Sequence, residues 1–163
     1  MRKVKSEEPA IYSPATSTSD DTTIQAALEI LSRRLRKPGQ LVSSPADLRH
    51  YATLRWAALE HEVFSIVYLD NRHRVIAVEE LFRGTIDGAA VYPREVLKAC
   101  LRHNASAVVI IHNHPSGIAE PSRADELITA RLKDALSMVD IRLLDHLIVA
   151  GIDTVSLAER GLM

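Results

Sequence analysis

Ala107-Val108-Val109-Ile110-Ile111-His112-Asn113-His114-Pro115-Ser116-Gly117, followed by Ser122 and Asp125, is where an apolar run ends in two imidazoles and a sharp turn. The run Ala107–Ile111 is too short for a helix and rich in β-branched residues, so it predicts a central strand. Side chains two apart on an extended chain point to the same face, which brings His112 and His114 to one point. Pro115 fixes φ and Gly117 permits positive φ, so the chain must leave the strand abruptly. Asp125 falls in the first turn of the next helix, where the dipole favours a carboxylate. Two imidazoles and one carboxylate, with a fourth place for water, form the donor set of catalytic zinc. The expected ligands of a Zn²⁺ ion are therefore His112, His114 and Asp125.

Hydrolysis at neutral pH needs a general base near the metal-activated water. Glu62 is the first choice, because it stands at the mouth of the first core strand, where an acid is otherwise out of place; Glu79 and Glu80 are the alternatives. Ser122 is placed to donate a hydrogen bond to a developing oxyanion. Plainer readings exist for each residue. Ser122-x-x-Asp125 also fits a helix capping box, and an Asp that closes such a box is not expected to hold a metal as well. His146 lies inside an apolar strand and reads first as a core histidine held by a neighbour, second as a further ligand. Arg33, Arg34, Arg36 and Lys37 read as a soluble helix end or as a phosphate contact.

Outward from this stretch, the chain resolves into short elements. Residues 1–20 are Ser-, Thr-, Pro- and charge-rich and read as a mobile tail. A helix over 21–41 is expected, with Thr22-x-x-Gln25 as capping box, Ile24, Ala27, Leu28, Leu31 and Leu35 at helical spacing, and Pro38-Gly39 as the stop. Ser44-Pro45 opens a second helix. Residues 42–163 then form one domain. In it, Val63–Leu69 and Val75–Arg83 pair as a hairpin, and Pro93 starts a helix whose apolar side includes Leu97 and Leu101. A helix from Arg123 carries Leu127, Ile128, Leu132 and Leu136 inward. Leu143–Ala150 and Thr154–Leu157 are the last strands. Early hairpins and later αβ connections predict a mixed three-layer α/β domain.

Composition narrows the function classes. With 163 residues, 47% hydrophobic and 25% charged, the chain has ordinary globular composition. A net charge of −1 provides no global field to recruit nucleic acid or an anionic membrane. The single cysteine, Cys100, excludes an internal disulfide and Cys-rich zinc sites. No apolar run reaches membrane-spanning length, and MRKVKSEEP lacks the apolar core of a signal peptide. A cytoplasmic protein is expected.

Taken together, Glu62, His112-x-His114, seven residues, Ser122, two residues and Asp125 resemble the JAMM (MPN+) metalloprotease motif. More narrowly, the chain is similar to the RadC family. The stretches that carry this are Glu62-Val63-Phe64 with Tyr68-Leu69-Asp70, Leu81–Thr85, Pro93–Val96, Asn104-Ala105, the His112–Asp125 run, Leu144–Ile148 and Ser156–Gly161, over roughly residues 42–162. The resemblance implies a cytidine-deaminase-like (JAB/MPN) α/β/α sandwich with a mixed sheet. It implies zinc on His112, His114 and Asp125, Glu62 as acid/base, and Ser122 as the hydrogen-bonding group. The implied activity is a zinc metallopeptidase acting on a peptide or protein substrate. The alternative is a DNA repair- or replication-associated scaffold or DNA-binding module with a non-catalytic metal. Longer RadC proteins carry a helix-hairpin-helix segment; the first forty residues here lack its paired Gly-hairpin pattern, so a short form is expected.

Overall fold

The computed structural model describes residues 19–36, 45–85 and 88–163. Nine elements follow in chain order: α1 (Ser19–Arg36), α2 (Pro45–Trp56), β1 (Val63–Leu69), β2 (Val75–Arg83), α3 (Pro93–Arg102), β3 (Ala107–Asn113), α4 (Arg123–Ser137), β4 (Arg142–Ala150) and β5 (Asp153–Ser156). The strands make one sheet in the order β2-β1-β3-β4-β5. Only β3 and β4 are parallel; their crossover is α4, as a parallel pair requires. The other pairs are antiparallel.

Both faces of the sheet are covered, giving the expected three-layer α/β/α arrangement. On one face α1 and α2 bring Leu28, Leu48, Tyr51, Ala52 and Trp56 against Val63, Val67, Val109, Ile111, Leu147 and Val149. On the other, α3 and α4 bring Val96, Ala99, Cys100, Leu132 and Leu136 against Phe64, Ile66, Tyr68, Val108 and Ile110. With helices on both sides, every residue of β1 and of β3 is buried. Alternation along β3 sends its odd-numbered residues towards α2 and its even-numbered ones towards α4. His112 therefore faces α4, where Asp125 sits.

Some sequence expectations are corrected. Strand β3 runs two residues past its apolar stretch, because His112 pairs with Phe64 on one side and Ile148 on the other, and Asn113 pairs with Val149. Leu127 and Leu101, expected inward, are 53% and 56% exposed; at about 100° per residue Leu127 falls on the side of α4 opposite the buried Asp125, Thr129, Leu132 and Leu136, and Leu101 lies well round α3 from the buried Val96 and Ala99, so the buried stripe is narrower than the run of apolar letters. Helix α1 starts at Ser19, so Thr22 lies inside it and does not cap it. Asp20 and Asp21 occupy its first turn, where they suit the dipole. The tail up to residue 18, the Pro38-Gly39 stop and the Ser44 cap lie outside the described residues.

Candidate metal centre

The topology assembles the site from three elements. Strand β1 runs antiparallel to β3, so the start of β1 lies beside the end of β3, with Phe64 opposite His112. That places Glu62, just before β1, at the same sheet end as His112 and His114. Helix α4 begins after the turn that follows β3, and its first turn returns Ser122 and Asp125 to this end.

His112 Nε2 and His114 Nε2 are 2.9 Å apart. Asp125 Oδ1 is 3.2 Å from His112 Nε2, and Oδ2 is 3.5 Å from His114 Nε2. Tetrahedral ligands 2.0–2.2 Å from one ion stand about 3.3 Å from each other, so the three side chains fit a single cation. Among the described residues they form the one His/Cys/Asp/Glu group whose ligand atoms converge. His112 and Asp125 are buried, and His114 is partly so.

Asp125 combines two features that the sequence reading held apart, a place in the converging donor set and a capping box. It closes a capping box: Oδ2 accepts from Ser122 N at 2.7 Å, while Ser122 Oγ accepts from Asp125 N at 3.2 Å. Oδ1 remains turned to His112. A carboxylate has lone pairs enough for a backbone amide and a cation. Burial alone would raise the Asp125 carboxyl, but hydrogen bonds from His112 and His114 outweigh it and hold it far below the carboxylate range. The Asp125 hydrogen bond in turn raises His114 against the opposing effect of burial, and the charge of Glu62 adds to the rise.

His146, fully buried on β4, sits between His112 and α4. Its Nε2 lies 2.7 Å from His112 Nδ1, and its Nδ1 lies 2.6 Å from Thr129 Oγ1. Burial pushes its pKa well below the ordinary histidine value, so it is a neutral ring. With both nitrogens engaged it does not act as a fourth ligand. The core-histidine reading is the one the geometry supports. His114 Nδ1 meets the Ile118 carbonyl at 2.7 Å.

Glu62, Ser122, His114 and Asp125 line one cleft of about 470 Å³, walled by Phe64, Ala89, Val91, Ala124 and Ile128. That is the size of small-ligand sites. The Glu62 backbone is held by Glu62 N to Thr85 O at 3.0 Å and Gly84 N to Glu62 O at 2.8 Å. Gly84 has no room for a side chain, since a Cβ there would meet the Gly88 carbonyl at 2.1 Å. The alternative bases lie elsewhere. Glu79 is bound by Tyr68 Oη, Arg102 and His103, and Glu80 by Arg55 and Trp56 Nε1. Cys100 is not a candidate nucleophile: burial pushes its thiol up to about 12. Arg33 is exposed on α1; the side chains of Arg34 and Arg36, and all of Lys37, lie outside the described residues.

Sequence reasoning missed Asn113 and Thr129. The buried Asn113 side chain, between the two candidate ligands in sequence, accepts from Val63 N at 2.8 Å and donates to His61 O at 3.0 Å. It thus clasps the residues on either side of Glu62. Thr129 lies one helical turn after Asp125, which is the signal that could have found it.

Residues 42–162 match the family model described as RadC-like JAB domain. Three curated relatives carry UPF0758 names. The UPF0758 protein of Nitrosococcus oceani is 56% identical over 155 residues, covering 93% of this chain and 69% of that protein. That of Marinobacter nauticus is 55% identical over 149 residues, covering 90% and 66%. UPF0758 protein Tgr7_0100 of Thioalkalivibrio sulfidiphilus is 57% identical over 143 residues, covering 86% and 64%. The chain spans 64–69% of the length of these relatives. Among the described residues no helix is long and apolar enough to cross a membrane.

Proposed function

Starting from the chain's membership of the RadC-like JAB domain family, we propose that it is a zinc-dependent hydrolase, a JAMM-type metallopeptidase that cleaves peptide or isopeptide bonds. The observation that carries this reading is an open donor set: two imidazole nitrogens and one carboxylate converge, and the nearest further imidazole, His146, is occupied by Thr129 and His112. A structural zinc site is closed by a fourth protein ligand, whereas a catalytic one keeps a position free.

Bound zinc would polarise the scissile carbonyl and bring the pKa of its water to about 7. Glu62 takes the proton of the attacking water and delivers it to the leaving amine. Its backbone anchors hold it at the cleft wall, so little ordering is needed as the substrate enters. The Ser122 hydroxyl donates to the developing oxyanion. Its lone pair already accepts from Asp125 N, which leaves its hydrogen free for this. The walls Phe64, Ala89, Val91, Ala124 and Ile128 favour an uncharged, apolar side chain beside the scissile bond. No Lys or Arg is among the described residues that line the cleft, which disfavours a phosphodiester, since backbone phosphates are held largely by cationic side chains.

The test is turnover of zinc-loaded wild type and Glu62→Gln on peptide, isopeptide and DNA substrates. The variant should keep its zinc and lose at least about 100-fold in rate on the amide substrates, the usual contribution of a general base. Equal rates would remove Glu62 as the base. Stoichiometric zinc with no hydrolysis of any substrate, and a salt-sensitive DNA affinity that survives metal removal, would replace the peptidase by a DNA-binding scaffold.

A further inference from the structure

Four groups form a closed chain from one candidate ligand to another: the Asp125 carbonyl, Thr129 Oγ1, His146 and His112. Thr129 and His146 are both fully buried. Counting hydrogens along the chain leaves one arrangement. The Asp125 carbonyl can only accept, and Thr129 Oγ1 lies 2.5 Å from it, so the single hydroxyl hydrogen points there. Oγ1 must then accept from His146 Nδ1, at 2.6 Å. His146 is fully buried and, among the described residues, its ring nitrogens meet no carboxylate, only Thr129 and His112, so it is neutral; its one hydrogen is on Nδ1, and its bare Nε2 accepts from His112 Nδ1 at 2.7 Å. His112 in turn holds a hydrogen on Nδ1, so its Nε2, turned to Asp125 and His114, is the nitrogen left to meet a cation. His114 is arranged likewise: its Nδ1–H donates to the Ile118 carbonyl, and its Nε2 is turned to Asp125. Which imidazole nitrogen is free for a metal is set by the hydrogen bond that the other one makes.

We propose that Thr129 and His146 are positioning residues that fix His112 as its Nδ1–H tautomer and so preset its Nε2 as a metal ligand. The proposal rests on the metal reading of His112, His114 and Asp125. It assigns work to two residues that touch neither metal nor substrate. The relay ties β3 to α4 through β4, so the two ligands His112 and Asp125 are braced against each other from behind. It also explains why a threonine and a histidine are tolerated in the core packed between α4 and the sheet: each buried polar atom of the pair has its partner. In water the neutral histidine side chain favours the other tautomer, with hydrogen on Nε2. Without the relay, His112 would have to shift its hydrogen before binding a cation.

The experiment has two readouts. Long-range ¹H–¹⁵N spectra of metal-free protein with labelled histidines report the ring hydrogens directly; His146 should show its single hydrogen on Nδ1, and His112 should carry a hydrogen on Nδ1 whatever its Nε2 holds. Zinc affinity, measured by competition with a chromophoric chelator, should fall about 10–100-fold in Thr129→Val, the usual effect of losing an outer-shell partner. It should return to within about 3-fold of wild type in Thr129→Ser, which restores the hydroxyl and controls for damage to the fold. A wild-type spectrum with His112 Nδ1 bare overturns the proposal, as does Thr129→Val with wild-type affinity. A wild type that binds no zinc at all overturns the metal reading instead, and the spectrum separates that case from a failure of the relay.

Discussion

Replacing Asn113 by alanine separates the scaffold of the site from its ligands. The Asn113 carbonyl oxygen accepts from Val63 N and its amide donates to His61 O, so the side chain adds one more rung where the β1–β3 ladder ends. Val63 is 2% exposed; with Asn113 truncated, its amide is buried without a partner, at a cost of about 1–3 kcal/mol. His61 is only partly buried, so water can satisfy its carbonyl and that loss adds little. In a domain of this size each kcal/mol moves the melting temperature by about 2–8 °C, which makes a fall of several degrees. The functional effect is separate. Glu62 keeps its links to Thr85 and Gly84 but loses the clasp on both neighbours, and a base displaced by about 1 Å costs on the order of 100-fold in rate. No ligand atom is removed, so zinc content should be unchanged. The assay is thermal unfolding, zinc content and peptide turnover on one preparation. A zinc-loaded Asn113→Ala that melts and turns over like wild type would refute this reasoning.

Two further outcomes test the fold. Leu132→Ala, in the fully buried cluster under α4, should lose about 2–5 kcal/mol in denaturant unfolding, while Leu127→Ala, on the same helix but exposed, should stay within about 0.5 kcal/mol of wild type; equal effects would contradict the assigned face of α4. Burial alone would raise the Glu79 carboxyl, but hydrogen bonds from His103 and Tyr68, with the Arg102 guanidinium, leave it below the usual value. A depressed carboxyl stabilises the fold above its unfolded pKa and loses that contribution as pH falls through its folded pKa. Glu79→Gln should therefore melt below wild type at neutral pH, and the gap should close as pH drops below the ordinary glutamate range of about 4.3; a gap independent of pH would refute it.

The convergence of His112, His114 and Asp125 was legible because it is local. His112 and His114 share a strand face, and Asp125 follows at a distance that one turn and one helix start can span. Strand and helix positions in the domain were also local, set by short apolar runs and by Pro45 and Pro93. The choice among Glu62, Glu79 and Glu80 depended on strand order. Only with β1 antiparallel to β3 does the start of β1 reach the sheet end that holds His112 and His114, while Glu79 and Glu80 pair mid-strand with Ile66 and Ser65. Thr129 and His146 needed a further non-local fact, that β4 lies beside β3 in parallel. Asn113 looked like a spacer between two ligands, because nothing in the letters shows what an inward-turned amide clasps. Leu127 misled because it is an apolar letter off the helical period: two residues from both Asp125 and Thr129, it lies on the far face of α4.

The most direct test of the central claim is zinc K-edge X-ray absorption on zinc-reconstituted protein. The account predicts one zinc per chain in a four-coordinate nitrogen and oxygen shell, with two imidazoles, one carboxylate and one oxygen from solvent. A third imidazole from His146, a shell closed by four protein ligands, or no bound zinc at all would contradict it.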